Sequence, residues 1–127
     1  MALILLVDDD STLLEIYTEA LRGEGWEVAS ARDGEMALAL AQALPPDLIL
    51  TDVSMPGMNG LELCRHLRAD ETLCHVPRIV HSSMERLASL SGDVFLRKSG
   101  DLTELLACIT RCLSRGSLAP TMPAAAA

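Results

Sequence analysis

The chain predicts an α/β domain built on a doubly wound sheet of five parallel strands, and three observations carry that reading. Short aliphatic runs alternate with amphipathic stretches along most of the 127 residues, which implies a parallel sheet covered on both faces. Two of the runs, Ala2 to Val7 and Leu48 to Thr51, are unbroken by charge, as strands buried on both faces are. Each is followed by carboxylates, Asp8 to Asp10 and Asp52, and ligands gather at the carboxyl ends of strands in such sheets.

After the first strand, Leu13, Leu14, Tyr17, Ala20 and Leu21 recur at helical spacing until Gly23 and Gly25 stop the pattern. This first helix is opened by Asp10 or Ser11. Trp26 to Ala31 reads as the second strand. Gly34 leads into an alanine-rich helix, Glu35 to Leu44, closed by Pro45 and Pro46. The third strand ends against Asp52, where Pro56, Gly57 and Gly60 force a turn. A third helix then buries Leu61, Leu63, Cys64 and Leu67, with Arg65, His66 and Arg68 on its polar side.

Pro77 precedes the fourth strand, Arg78 to His81, which runs into Ser82 and Ser83; Asp93 to Lys98 is the fifth. Only Ser83 to Gly92 connect these two strands, so the fourth helix should be cut to at most two turns around Met84 to Leu90, with the rest extended. Leu102, Leu105, Leu106, Ile109 and Leu113 form the stripe of a last helix. The domain is expected over residues 1–115, and the Ser-, Pro- and Ala-rich residues 116–127 read as a flexible tail or linker. Right-handed crossovers favour the flavodoxin-like strand order 2-1-3-4-5. That order makes the first and third strands neighbours and brings Asp8, Asp9 and Asp52 together.

Half the residues are hydrophobic and 2% are aromatic, so Leu, Ala, Val, Ile and Met must build the core. The net charge of -8 argues against direct contact with nucleic acid or an anionic membrane. No apolar stretch approaches the roughly 18 residues of a membrane span, and the apolar start lacks the basic flank of a signal peptide. Cys64, Cys74, Cys108 and Cys112 show no Cys-x-x-Cys pairing and read as reduced thiols of a cytoplasmic protein.

Crowded carboxylates repel unless a cation neutralises them. Magnesium suits the cluster, because it takes oxygen ligands octahedrally and keeps positions for water and a phosphate oxygen. Asp9 and Asp52 are the expected direct ligands, with Asp8 acting through water and the main-chain carbonyl of Ser54 as a further ligand. Helix capping explains Asp10 and Ser11. It does not explain why Asp52, Ser82 and Lys98 all lie near carboxyl ends of strands on one rim. A phosphoryl group on Asp52 would there meet metal, hydroxyl and ammonium, the equipment of phosphoryl transfer.

With these residues the chain resembles the receiver domains of two-component response regulators over about residues 2 to 114. The marks are Asp8 and Asp9 after Leu-Leu-Val, Asp52 before Val-Ser-Met-Pro-Gly-Met-Asn-Gly, Ser82 after strand four and Lys98 after strand five. The resemblance implies that Asp52 accepts a phosphoryl group from a phosphohistidine on a sensor histidine kinase or phosphotransfer protein, with magnesium required. It implies that Ser82 then moves toward the phosphoryl oxygen, with Phe95 at the aromatic switch position. It further implies an unknown output protein reached by protein–protein contact, and no chemistry beyond the domain's own phosphorylation and dephosphorylation.

Ser99 departs from the family's usual proline, so the peptide bond after Lys98 is expected to be trans; Met84 places a bulky side chain near the mouth of the site. Two other readings compete. One is a receiver-like interaction module that is never phosphorylated. The other is a haloacid-dehalogenase-like phosphohydrolase, since Asp8-Asp9-Asp10-Ser11-Thr12 fits Asp-x-Asp-x-Thr, though no cap insertion and no acidic motif after Lys98 accompany it.

Overall fold

A computed structural model describes residues 2–53, 55, 57–82, 93–98 and 102–118, with backbone alone at 82, 93, 95 and 115–118. The strands are β1 (Leu3–Val7), β2 (Glu27–Ala31), β3 (Leu48–Asp52), β4 (Arg78–Ser82) and β5 (Asp93–Arg97). The described helices are α1 (Ser11–Gly23), α2 (Gly34–Ala43), α3 (Gly60–Ala69) and α4 (Leu102–Leu118). The strands form one parallel sheet in the order β2-β1-β3-β4-β5, as expected.

Alternation along the strands sorts the core into two layers. Ile4, Leu6, Leu48, Leu50 and Ile79 pack with Leu14 and Leu21 of α1 and with Leu105, Cys108 and Ile109 of α4. Leu5, Val7 and Ile49 point the other way, onto Ala37 and Ala41 of α2 and Leu63 and Leu67 of α3. The edge strand β2 is only half-buried.

Polar residues set where the helices begin. Asp10 accepts from Thr12 N and Leu13 N at 2.9 and 3.2 Å, Asp33 from Met36 N at 2.8 Å, and Asn59 from Glu62 N at 2.9 Å. Each satisfies donors that a first helical turn leaves open. Gly25 turns the chain from α1 into β2 at φ 91°, a left-handed conformation that a side chain would strain.

Element ends differ slightly from the sequence reading. β3 includes Asp52, because its backbone still pairs with β4 opposite His81. Gly34 opens α2, since Asp33 before it is the capping residue. α4 runs through Gly116 to Leu118, three residues beyond the boundary placed after 115. The fourth helix expected around 84–90, the Ser54 carbonyl, the Lys98–Ser99 peptide and the side chains of Ser82 and Phe95 lie outside the described residues. No helix among the described residues is long and apolar enough to cross a membrane.

Candidate functional site

The two strand ends that carry carboxylates are adjacent. Val7 pairs with Thr51, so Asp8 and Asp52 are level, one residue further on. Both continue the series that faces α1 and α4, following Leu6 and Leu50. On β5 the same series runs through Val94 and Leu96, and its next member is Lys98. Three side chains from three strands thus share one face at one rim.

They meet there. Lys98 Nζ lies 3.1 Å from Asp8 Oδ2 and 3.2 Å from Asp52 Oδ1. Asp8 is buried, and its other oxygen accepts from Asp10 N at 3.0 Å. Asp9, the next residue, is exposed. Asp8, Asp9 and Asp52 offer carboxylate oxygens all within 4.8 Å of one another. An all-oxygen, all-anionic donor set of this size fits a hard divalent cation.

Burial pushes the Asp52 carboxyl above its ordinary value, and the Asp8 charge adds to this, while Lys98 opposes both. For Lys98, burial works against the charged form, but hydrogen bonding and attraction from Asp8 and Asp52 outweigh it and raise the ammonium's pKa. Lys98 therefore stays protonated at neutral pH.

The backbone of Asp52 is held from two sides. Thr51 Oγ1 donates to Asp52 O at 2.9 Å. Gly60 lies so close that a Cβ there would overlap the Asp52 carbonyl oxygen, and Gly60 N donates to Val53 O at 2.9 Å. Gly34 is packed likewise, since a Cβ would come within 2.7 Å of Met58 O.

Two rings not singled out from the sequence also adjoin the site. Tyr17 of α1 and His81 of β4 are buried with centroids 5.6 Å apart and planes tilted by 55°. Burial, reinforced by the Lys98 charge, lowers the His81 pKa to about 4, and burial raises that of Tyr17. The signal for Tyr17 was its place in the first helix's apolar stripe, and for His81 its alternation with Ile79. Of the remaining expected residues, Ser82 ends β4 with its backbone paired to Arg97, and Phe95 pairs with Val80.

Five parallel strands in this order, with carboxylates and a lysine converging at the switch point, define an α/β domain equipped to handle a phosphoryl group. The response regulator receiver domain family matches residues 4–110, and the chain belongs to it. It is 38% identical to the response regulator PleD of Caulobacter vibrioides over 123 residues, which cover 92% of this chain and 27% of PleD. It is 54% identical to the DNA-binding response regulator MtrA of Mycobacterium tuberculosis over 67 residues, 53% of this chain and 29% of MtrA. The matches thus span under a third of each of these relatives.

Among solved structures, chemotaxis response regulator CheY4 of Vibrio cholerae superposes with a TM-score of 0.82 at 29% identity, covering 88% of this chain and 98% of that one. Response regulator TrrA of Thermotoga maritima, solved in complex with Mg2+-BeF, gives a TM-score of 0.81 at 30% identity, covering 88% and 99%. The chain is a receiver domain of two-component signalling, and nothing in these matches supports the phosphohydrolase reading.

Proposed function

We propose that Asp52 accepts a phosphoryl group from a phosphohistidine on a sensor histidine kinase or phosphotransfer protein, and that the modified domain signals by contact with an output protein. The observation that carries this reading is the Lys98 ammonium lying between Asp8 and Asp52. A carboxylate at a strand end, facing a fixed cation, is a nucleophile whose product is stabilised in place. An Asp52 oxygen attacks phosphorus in line with the imidazole nitrogen; the O–P bond forms as the N–P bond breaks, and the electron pair leaves with the imidazole. Lys98 offsets charge on the equatorial oxygens, in a reaction where positioning and electrostatics supply most of the catalysis.

Asp8, Asp9, Asp52 and the Ser54 carbonyl are the proposed magnesium ligands, Asp8 acting through water. Magnesium, when bound, neutralises the carboxylates and draws in the phosphoryl oxygens. Ser82 is proposed to supply a hydroxyl to the phosphoryl group and Phe95 to serve as the paired switch, supported by the β4–β5 register that brings their strands together. On this reading the domain acts only on its own acyl phosphate. Its net charge of -8 favours protein partners over direct nucleic-acid contact, and the cytoplasm, where phosphohistidine donors are made, is its proposed location. The receiver is proposed over residues 1–115 together with the end of α4 to Leu118, and the rest of the expected 116–127 segment as a tail or linker.

Incubation with acetyl phosphate and magnesium, followed by peptide mapping, tests the reading. Phosphate is expected on Asp52 and absent from Asp52→Asn. Label on Asp8 would point to the phosphohydrolase reading, and no label at all to the unphosphorylated interaction module.

A further inference from the structure

Lys98 directly follows β5, yet its ammonium lies against Asp52 at the end of β3 and Asp8 just beyond β1. Neighbouring strands are about 4.8 Å apart, so β5 and β3 are separated by roughly 10 Å. The lysine arm must therefore lie across β4. On the face it crosses, the last described β4 residue is His81, in register with Asp52 on one side and with Leu96, two residues before Lys98, on the other.

His81 does not stand alone. Its ring rests against Tyr17, which reaches it from α1, and both are at least nine-tenths buried. The Lys98 charge acts on both rings, making His81 harder to protonate and Tyr17 easier to ionise, so the ammonium is within electrostatic reach of the pair.

We propose that His81, braced by Tyr17, is a positioning residue for Lys98: the two rings form the floor over which the lysine arm passes and so fix where the ammonium meets Asp8 and Asp52. The consequence for phosphoryl transfer rests on Asp52 being the acceptor, but the positioning is a property of the protein before any phosphoryl group arrives.

Lys98 is the chain's only lysine, so 15N-lysine labelling gives one side-chain ammonium signal in the full chain. In the wild type that signal should be narrow and protected from exchange. In His81→Ala and Tyr17→Leu it should broaden or move to the position of a free lysine, and Asp52 labelling by acetyl phosphate should slow roughly ten- to hundredfold. His81→Phe, which keeps a ring against Tyr17, should restore both. An unmoved signal in folded His81→Ala, or His81→Phe as defective as His81→Ala, overturns the proposal. Should His81→Ala fail to fold, Tyr17→Leu decides, since an unmoved signal there also overturns it. A wild type that takes no phosphate while the signals follow this pattern supports the floor and removes the acceptor reading instead.

Discussion

Ninety residues separate Asp8 from Lys98, yet their charged groups lie 3.1 Å apart, joining the first strand to the last. Asp52 shares the same ammonium at 3.2 Å. Removing the cation leaves two carboxylates facing each other, one of them buried. Lys98→Gln is therefore expected to lose about 1–3 kcal/mol in urea unfolding at pH 7, less than a fully buried pair because the site opens to water. Folding raises the Lys98 pKa above 10.5. Its contribution is thus complete below that value and is lost as pH rises through the higher folded value. The gap between wild type and variant should be flat around neutrality, close at strongly alkaline pH, and narrow again on acidification as the Asp52 carboxyl takes up its proton.

Asp52→Asn should act in the opposite sense. The Asp52 carboxyl titrates above its ordinary 3.8 in the folded protein, chiefly because it is buried. A raised carboxyl pKa means that ionised Asp52 opposes folding once pH exceeds the folded value, and that this penalty disappears below 3.8. The amide carries no such penalty. The variant should be more stable than wild type at pH 7 by up to about 1 kcal/mol, with the two unfolding curves converging as the solution is acidified. A less stable variant at neutral pH would show that the Lys98 contact outweighs burial and the repulsion from Asp8.

Much of this was legible in the residues. Unbroken aliphatic runs located the central strands, and carboxylates directly after Val7 and Thr51 marked the rim, because the strand repeat of two is rigid enough to place the next side chain. The same repeat puts His81 on the face of Asp52. What it does not give is the partner: that the Tyr17 ring falls on His81 depends on how α1 crosses the sheet, a tertiary fact with no sequence period. Helix ends were read less well, since α2 spans Gly34–Ala43 rather than Glu35 to Leu44 and a glycine at 116 does not by itself stop α4. Nor do Gly34 and Gly60 announce which backbone lies against them.

Gly60→Ala tests one such close approach. Its added methyl would overlap the Asp52 carbonyl oxygen and come within 3.0 Å of the carbonyl carbon, both of them backbone atoms. The strand end or the start of α3 must shift, at a cost of about 1–3 kcal/mol. With the shift on the strand end, Asp52 is displaced and acetyl phosphate labelling should slow by more than the stability loss explains. Thermal unfolding and labelling on the same sample provide the check, and normal labelling in a folded variant would show that the shift falls on α3 alone.

Asp8 and Asp9 are adjacent in sequence but differ in environment, which predicts that they separate cleanly under mutation. Asp8 is buried and paired with Lys98, whereas Asp9 is exposed and still belongs to the three-carboxylate cluster. Without metal, Asp8→Asn should lower stability, since it takes a partner from a partly buried ammonium. Asp9→Asn should change it by no more than about 0.5 kcal/mol, as exposed substitutions do. On the proposed ligand set, magnesium would bind the native site and not the unfolded chain, so at a hundred times its dissociation constant it should stabilise the wild type by about 2.7 kcal/mol. Thermal melts with magnesium, then with excess chelator, measure that increment directly. Asp9→Asn should lose most of it while keeping the wild-type melting temperature in chelator. A full magnesium response in Asp9→Asn would remove Asp9 from the ligand set and leave the cation to Asp8 and Asp52.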